Sequence, residues 1–160
     1  MSDGRLVAIA RRPQRRAPMQ QVAEGRISLE AGLAGDFKGV KHPRRQITVL
    51  AREAWEAALA ELGSPDVAWT VRRANLLVAG VELPCAKGGI LQVGPVQLEV
   101  TGQTYPCVRM DEAHRGLLKA LAKSWRGGVT CRVLVGGDIA IGDAVEVLAR
   151  PREETPRLPR

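Results

Sequence analysis

Cys107 lies in the stretch "TGQTYPCVRMDEAHRGL" at residues 101–117, directly after Pro106. Proline removes a backbone donor and favours an extended or turn conformation, so the thiol sits on a loop. A thiolate is a nucleophile and a soft metal ligand, and it needs cationic surroundings to persist at neutral pH. Arg109 follows two positions later and supplies one such cation, whereas His114 is seven positions away. Spacing alone leaves three readings of Cys107 open: loop thiol, nucleophile or ligand. Cys131 lies in the apolar run "VTCRVLV" and reads as core. Cys85, in "ELPCAKGG", reads as a second loop thiol. Three cysteines at gaps of 22 and 24 residues make neither a disulfide framework nor a zinc site, and they are too few for a four-cysteine iron–sulfur cluster.

Two further groups carry chemistry. "GLAGDFKG" (32–39) packs three glycines with Asp36 and Lys38, as a ligand-facing loop or an ordinary tight turn would. "VRRANLLVAG" (71–80) places Arg72, Arg73 and Asn75 before a strand. Arginine presents a planar fork to phosphate, and asparagine pairs a donor with an acceptor. An exposed basic strand end would read the same way.

The chain has 160 residues, a formal charge of +7, and 45% hydrophobic and 26% charged residues, the balance of a single soluble domain. "RRPQRR" (11–16) and "KHPRR" (41–45) hold seven cations and no acid, a number equal to the whole net excess. Such clusters are either solvated loops or an anion-binding patch. A nucleic-acid surface built on Arg11, Arg12, Arg15 and Arg16 is one form of patch. Aromatics are only 3% of the chain, too few for base-stacking platforms, so a phosphate-bearing small molecule suits a local cluster better. No apolar run approaches the roughly 18–20 residues of a membrane span, and no signal-peptide core precedes the first strand. A cytoplasmic location is the expectation.

The elements that must position these residues are mostly strands. "GRLVAIAR" (4–11) alternates as a strand, and "RRPQRRAPM" follows as a hairpin loop. A second extended segment from residue 20 breaks at Gly32 and Gly35. "RQITVL" (45–50) is a strand, and "AREAWEAALAELG" (51–63) is a helix ended by Gly63. Residues 73–83 are a strand entering a loop. Residues 90–102 form a hairpin around Gly94-Pro95, with Val96, Leu98 and Val100 on one face. Residues 114–128 read as one helix with Leu117, Leu121 and Trp125 on one face. Residues 128–148 give a strand, a turn and two more strands. Domain 1–148 is followed by 149–160, expected as a disordered basic tail. About eight short strands and two or three peripheral helices predict a mainly β fold of barrel type. Neither G-x-G-x-x-G nor a P-loop motif is present.

In order, "GLAGDFKG", "RRQITVL", "RRANLLVAGVEL", "LQVGPVQLEVTG", "YPCVRM" and "RGGVTCRVLVGGDIAIGDAV" resemble the MOSC domain family, named for the C-terminal domain of molybdenum cofactor sulfurase. The resemblance runs over residues 4–148 and looks like a small stand-alone bacterial-type member. It implies a β-barrel and, in the enzymatic members, the molybdenum–pterin cofactor. The family's metal-binding cysteine, catalytic in those members, matches Cys107. Its Arg-x-Asn cofactor-binding segment matches Arg73 and Asn75. Arg72, Arg45, Lys38 and Asp36 are further candidates for the cofactor pocket. The enzymatic relatives reduce N-hydroxylated compounds, which implies a small-molecule substrate of that kind. With no flavin or nicotinamide motif here, it also implies a separate electron-donor protein, a flavin or iron–sulfur reductase. Cofactor carriage, or sulfur transfer through a Cys107 persulfide, is the alternative that the resemblance implies. Pyridoxal phosphate enters only as an association of the family. The chain departs from the family pattern at Phe37-Lys38, where relatives often carry a basic or histidine-containing run, and at Tyr105, where they are often polar.

Overall fold

The alternation at Val96, Leu98 and Val100 survives in three dimensions: all three side chains are buried, with Gln97 and Glu99 between them facing outward. A computed structural model describes residues 4–152. Its strands are β1 (Arg5–Arg11), β2 (Gln20–Val22), β3 (Glu24–Ser28), β4 (Gly32–Leu33), β5 (Ile47–Ala51), β6 (Leu76–Ala79), β7 (Ile90–Val93), β8 (Val96–Gln103), β9 (Val129–Val135), β10 (Gly137–Ala140) and β11 (Val145–Ala149). Its α-helices are α1 (Lys38–Lys41), α2 (Arg52–Ala60), α3 (Arg109–Ala113) and α4 (Leu117–Ala122). Two 3-10 turns span Trp69–Arg72 and Lys123–Trp125.

Eight strands form one sheet in the order β11-β7-β8-β9-β5-β6-β1-β2, and β10-β3-β4 form a second. The mainly β class stands, with more and shorter strands than the sequence suggests. The large sheet is not closed into a barrel by a continuous ladder. Instead a single antiparallel bridge, Arg5 to Ala144, draws β1 against the turn before β11. The Leu6 N–H donates to the Asp143 carbonyl (2.8 Å), and the Val145 N–H donates to the Gly4 carbonyl (2.9 Å). The interior of this curl is filled from both sheets by Leu6, Ile27, Leu76, Leu98, Val129 and Ile139, among others.

β5 and β6 lie side by side in parallel, which the crossover through α2 allows. Each is buried along its whole length, and this explains their unbroken apolar runs. Val49, Leu76 and Val78 face the curl, while Leu50 and Leu77 pack under α2 and α4.

The single helix expected over 114–128 is broken. Gly116 adopts φ +91°, α4 ends at Ala122, and Ser124 and Trp125 are left-handed at φ 49° and 56°. The break has a packing cause. Leu117 and Leu121 join the helical core with Trp55, but Trp125 turns into the curl. One straight helix could not serve both cores. Helix α3 follows the turn after Pro106: the Met110 N–H donates to the Cys107 carbonyl at 2.9 Å. Strand β11 runs to Ala149, one residue into the segment expected to be a tail, and residues 153–160 lie outside the described residues. Among the described residues no helix is long and apolar enough to cross a membrane.

The glycine-rich loop is shaped by one close approach. A Cβ on Gly39 would fall 2.0 Å from the Ala31 carbonyl oxygen, so only glycine lets α1 lie against the strand before it. Gly39→Ala is therefore expected to lower stability by about 2–3 kcal/mol. The urea midpoint should fall with an unchanged slope, and a midpoint equal to wild type would show that α1 does not need this contact.

Candidate functional site

Three strand ends and two loops meet at one end of the curl. The last turn of β1 is zipped to the glycine-rich loop. The Arg12 N–H donates to Asp36 Oδ1 (3.0 Å), the Phe37 N–H donates to the Arg12 carbonyl (3.0 Å), and Arg11 Nη1 donates to the Ala34 carbonyl (3.1 Å). The Arg12 guanidinium lies over the Phe37 ring, 4.9 Å from its centroid. A solvated loop starting at Arg11 would not make these bonds. Arg12 belongs to the site, and the one visible sign is that it directly follows the alternating residues of β1.

Asn75 ties the strands together from the inside and is 0% exposed. Its Oδ1 accepts from the Thr48 N–H (3.0 Å) and the Thr48 hydroxyl (3.2 Å), and its Nδ2 donates to the Ala10 carbonyl (3.3 Å). The Asn75 N–H donates back to Thr48 Oγ1 at 3.1 Å. This hydroxyl also accepts from Lys38 Nζ at 3.4 Å. The network thus links β1, β5 and β6 and ends at the Lys38 ammonium.

Arg72 holds the other side. It is 8% exposed, and its Nη2 donates to the carbonyls of Gly127 (2.7 Å) and Thr104 (3.3 Å). Gly127 must be glycine here, because a Cβ would fall 2.6 Å from the Thr104 oxygen and 3.0 Å from Arg72 Nη2. This clamp fixes the root of the loop that carries Cys107, which is exposed and free. His114 does not serve the thiol through its Nδ1, which meets the Arg115 carbonyl at 3.0 Å.

The electrostatics are those of cations held together. Burial pushes Lys38 down to about 8; Asp36 pulls it back up, while Arg12, Arg45 and Arg72 push it further down. Burial also pushes Arg72 down to about 10, and the charge of Cys107 pulls it back up. Arg12 is lowered by burial and by Arg73, with Arg109 and Arg15 adding to the effect and Asp36 opposing it. Asp36 is the one carboxylate whose charge acts on Lys38 and Arg12. Four buried polar atoms in this region have no partner among the described residues: Arg72 Nε, Arg12 Nη1, Asp36 Oδ2 and Thr104 Oγ1.

The structure brings Asp36, Lys38, Arg45, Arg72 and Arg73 into one electrostatic cluster, with Cys107 in the field of Arg72. Asn75 lies directly behind it. The sequence left Arg12 within a basic run open to two readings, solvated loop or anion patch, and did not single out Thr48. Beside the cluster, an open groove of about 610 Å³ is lined by Arg16, Met19, Arg73, Arg109, Met110 and Glu112, among others. Its residues come from three distant segments, so no local pattern announces it.

The sequence model of the MOSC domain matches residues 36–146, more than half of the chain, and the chain belongs to the MOSC domain family. Among solved structures, the YUAD protein from Bacillus subtilis is similar over 92% of this chain and 98% of its own, with a TM-score of 0.76 and 18% identity. YiiM from Geobacillus stearothermophilus gives a TM-score of 0.72 at 18% identity, over 96% of this chain and 79% of its own. YiiM from Escherichia coli gives 0.66 at 20% identity, over 94% and 73%. At these identities the likeness is one of fold. No curated protein matches the chain.

The burial of Lys38 fixes the sign of a pH effect. Its pKa is lowered on folding to about 8, so between about pH 8 and the ordinary lysine value the unfolded chain binds more protons. Stability therefore rises as pH passes through the folded pKa. Cys131, whose pKa burial raises, acts in the opposite direction only above its ordinary value of 9.0. Between pH 8 and 9, wild type should gain about 0.5–1 kcal/mol relative to Lys38→Met, read from urea midpoints. Parallel pH profiles for the two proteins would show that Lys38 is not buried as a cation.

Proposed function

We propose that this protein binds the molybdenum cofactor and reduces N-hydroxylated small molecules, with Cys107 as the protein ligand to the metal. The observation that carries this reading is an exposed thiol beside a buried guanidinium, Arg72, whose Nε has no partner. The donor set fits the cofactor. Arg72 Nε and Arg12 Nη1 are buried donors suited to an anion, and Asp36 Oδ2 is a buried acceptor suited to an N–H group. Among the described residues no three His, Cys, Asp or Glu side chains converge on a metal position, which fits a centre that takes one protein thiolate and its other sulfurs from a pterin.

When bound, the cofactor supplies two-electron oxygen-transfer chemistry: N–OH gains two electrons and two protons, becomes N–H and releases water. The chain's own residues bind and orient. Cys107 offers its sulfur from a loop that Arg72 fixes at its root. Arg72, Arg12, Lys38 and Arg45 hold the anionic part, and Arg73 extends the cationic wall towards the groove. Asn75 and Thr48 keep Lys38 in place. The electrons come from a separate donor protein, a flavin or iron–sulfur reductase.

Molybdenum and pterin analysis after expression in a host that makes the cofactor tests the reading. Wild type should carry both, and Cys107→Ser should lose molybdenum by about tenfold or more. Because Cys107 is exposed, the variant should keep the wild-type urea midpoint. Full metal retention by Cys107→Ser would remove the ligand role. A labile sulfur adduct on Cys107 in metal-free wild type would select sulfur carriage instead.

A further inference from the structure

Three guanidinium groups of the groove beside Cys107, those of Arg16, Arg73 and Arg109, have no hydrogen-bond or ion-pair partner among the described residues. Only one carboxylate, that of Glu112, lines the same groove. Two of the three arginines have left-handed backbones, Arg16 at φ 69° and Arg73 at φ 58°. Non-glycine residues adopt this region rarely and at a cost, and such residues gather at binding and catalytic sites. Arg73 is also an electrostatic neighbour of Arg12, so the groove continues from the cationic cluster.

The apolar part of the lining is of a particular kind. Met19 and Pro18 line the groove, and the nearly buried Met110 closes its floor; methionine packs adaptably against rings and flat organic surfaces. Met110 stands one helical turn from Cys107, because its N–H donates to the Cys107 carbonyl at 2.9 Å. At about 610 Å³ the groove has the size of a small-molecule site rather than of a single ion.

We infer that this groove is the substrate subsite, and that it selects N-hydroxylated compounds whose apolar, ring-bearing body carries an anionic group, a carboxylate or phosphate, distal to the N–OH. The inference rests on the proposed reductase activity and adds the substrate class. The body lies along Met19 and Pro18, the N–OH end points towards Cys107, and the anion meets the unpaired guanidinium groups of Arg16, Arg73 and Arg109. Uncompensated guanidinium groups at a half-open site favour such an anion most strongly at low ionic strength.

The test compares benzamidoxime with 4-carboxybenzamidoxime on cofactor-loaded protein, with a reduced viologen dye as electron source. Binding of each compound to the same loaded protein is followed by calorimetry. The carboxylate should have a kcat/KM about tenfold higher, carried by KM, and the preference should shrink with added salt. Arg16→Met should bring the two compounds within about twofold by raising KM for the carboxylate, and Arg16→Lys should restore part of the preference. Calorimetry should show the same ranking without turnover. Equal KM values and equal binding for the two compounds in wild type would overturn the inference while leaving the reductase reading intact. Loss of molybdenum and pterin from Arg16→Met would also overturn it, since the groove would then hold the cofactor. If neither compound is reduced, the reductase reading fails, and a calorimetric preference for the carboxylate abolished in Arg16→Met still supports the groove as an organic-anion site.

Discussion

The site depends on one buried cation without a carboxylate partner. Arg72 is almost fully enclosed, and two carbonyl oxygens, of Thr104 and Gly127, take its Nη2. Burying a guanidinium with no paired anion costs several kcal/mol, and hydrogen bonds to neutral carbonyls offset only part of it. The arrangement persists because the carbonyls belong to segments that need an anchor. Thr104 begins the loop to Cys107, and Gly127 follows the left-handed pair Ser124 and Trp125. Arg72 thus joins the end of β8 to the start of β9, through backbone that neither strand's ladder satisfies. Glycine at 127 is a condition of this join, since any side chain would displace the guanidinium or the Thr104 carbonyl.

Opposite Arg72 the same problem is solved by a neutral network. Asn75 spends both ends of its amide on Thr48 and Ala10, and Thr48 passes one acceptor position on to Lys38. A buried amide bonded at both its oxygen and its nitrogen stabilises a unique register, here among three strands that have few polar groups of their own. Cations therefore approach each other from two rigid walls, the β5–β6 pair and the Arg72 clamp. Neither wall can relax away without breaking buried bonds. Burial is the main cause of the lowered pKa values of Lys38, Arg12 and Arg72, and neighbouring arginines push Lys38 and Arg12 down further.

Much of this was legible in the sequence, and the limits have physical causes. The alternation of β8, the doubly apolar runs of β5 and β6, and the amphipathic α2 follow from local patterns, because each element meets a single environment on each face. The segment 114–128 misled because its apolar stripe divides between two cores, with Leu121 on one side of the sheet and Trp125 on the other. Periodicity cannot show that division. The order of six weak motifs made Cys107, Arg73 and Asn75 visible as a group. It could not show that the Asn75 side chain points into the sheet, because its partners are 27 and 65 residues away. Arg12 was read as part of a charged loop for a similar reason: its bond to Asp36 spans 24 residues, and composition sees only the run of arginines.

That run shows how the net charge and the fold are connected. The excess of seven positive charges lies in residues 11–16 and 41–45, and the fold delivers these segments to either side of the glycine-rich loop. Arg12 and Arg45 then act on Lys38, and Arg15 acts on Arg12. Charges spread over a surface would be screened within about 8–10 Å and would do little more than keep the protein soluble. Gathered around half-buried groups, they are screened less, and their mutual repulsion is a standing cost in the folded state. An anion seated among them removes that cost as it binds, so part of its binding energy comes from relief of strain already present in the protein. The protein's basic character is in this sense a property of one end of the curl, and Cys107 is the one fully exposed thiol among the described residues.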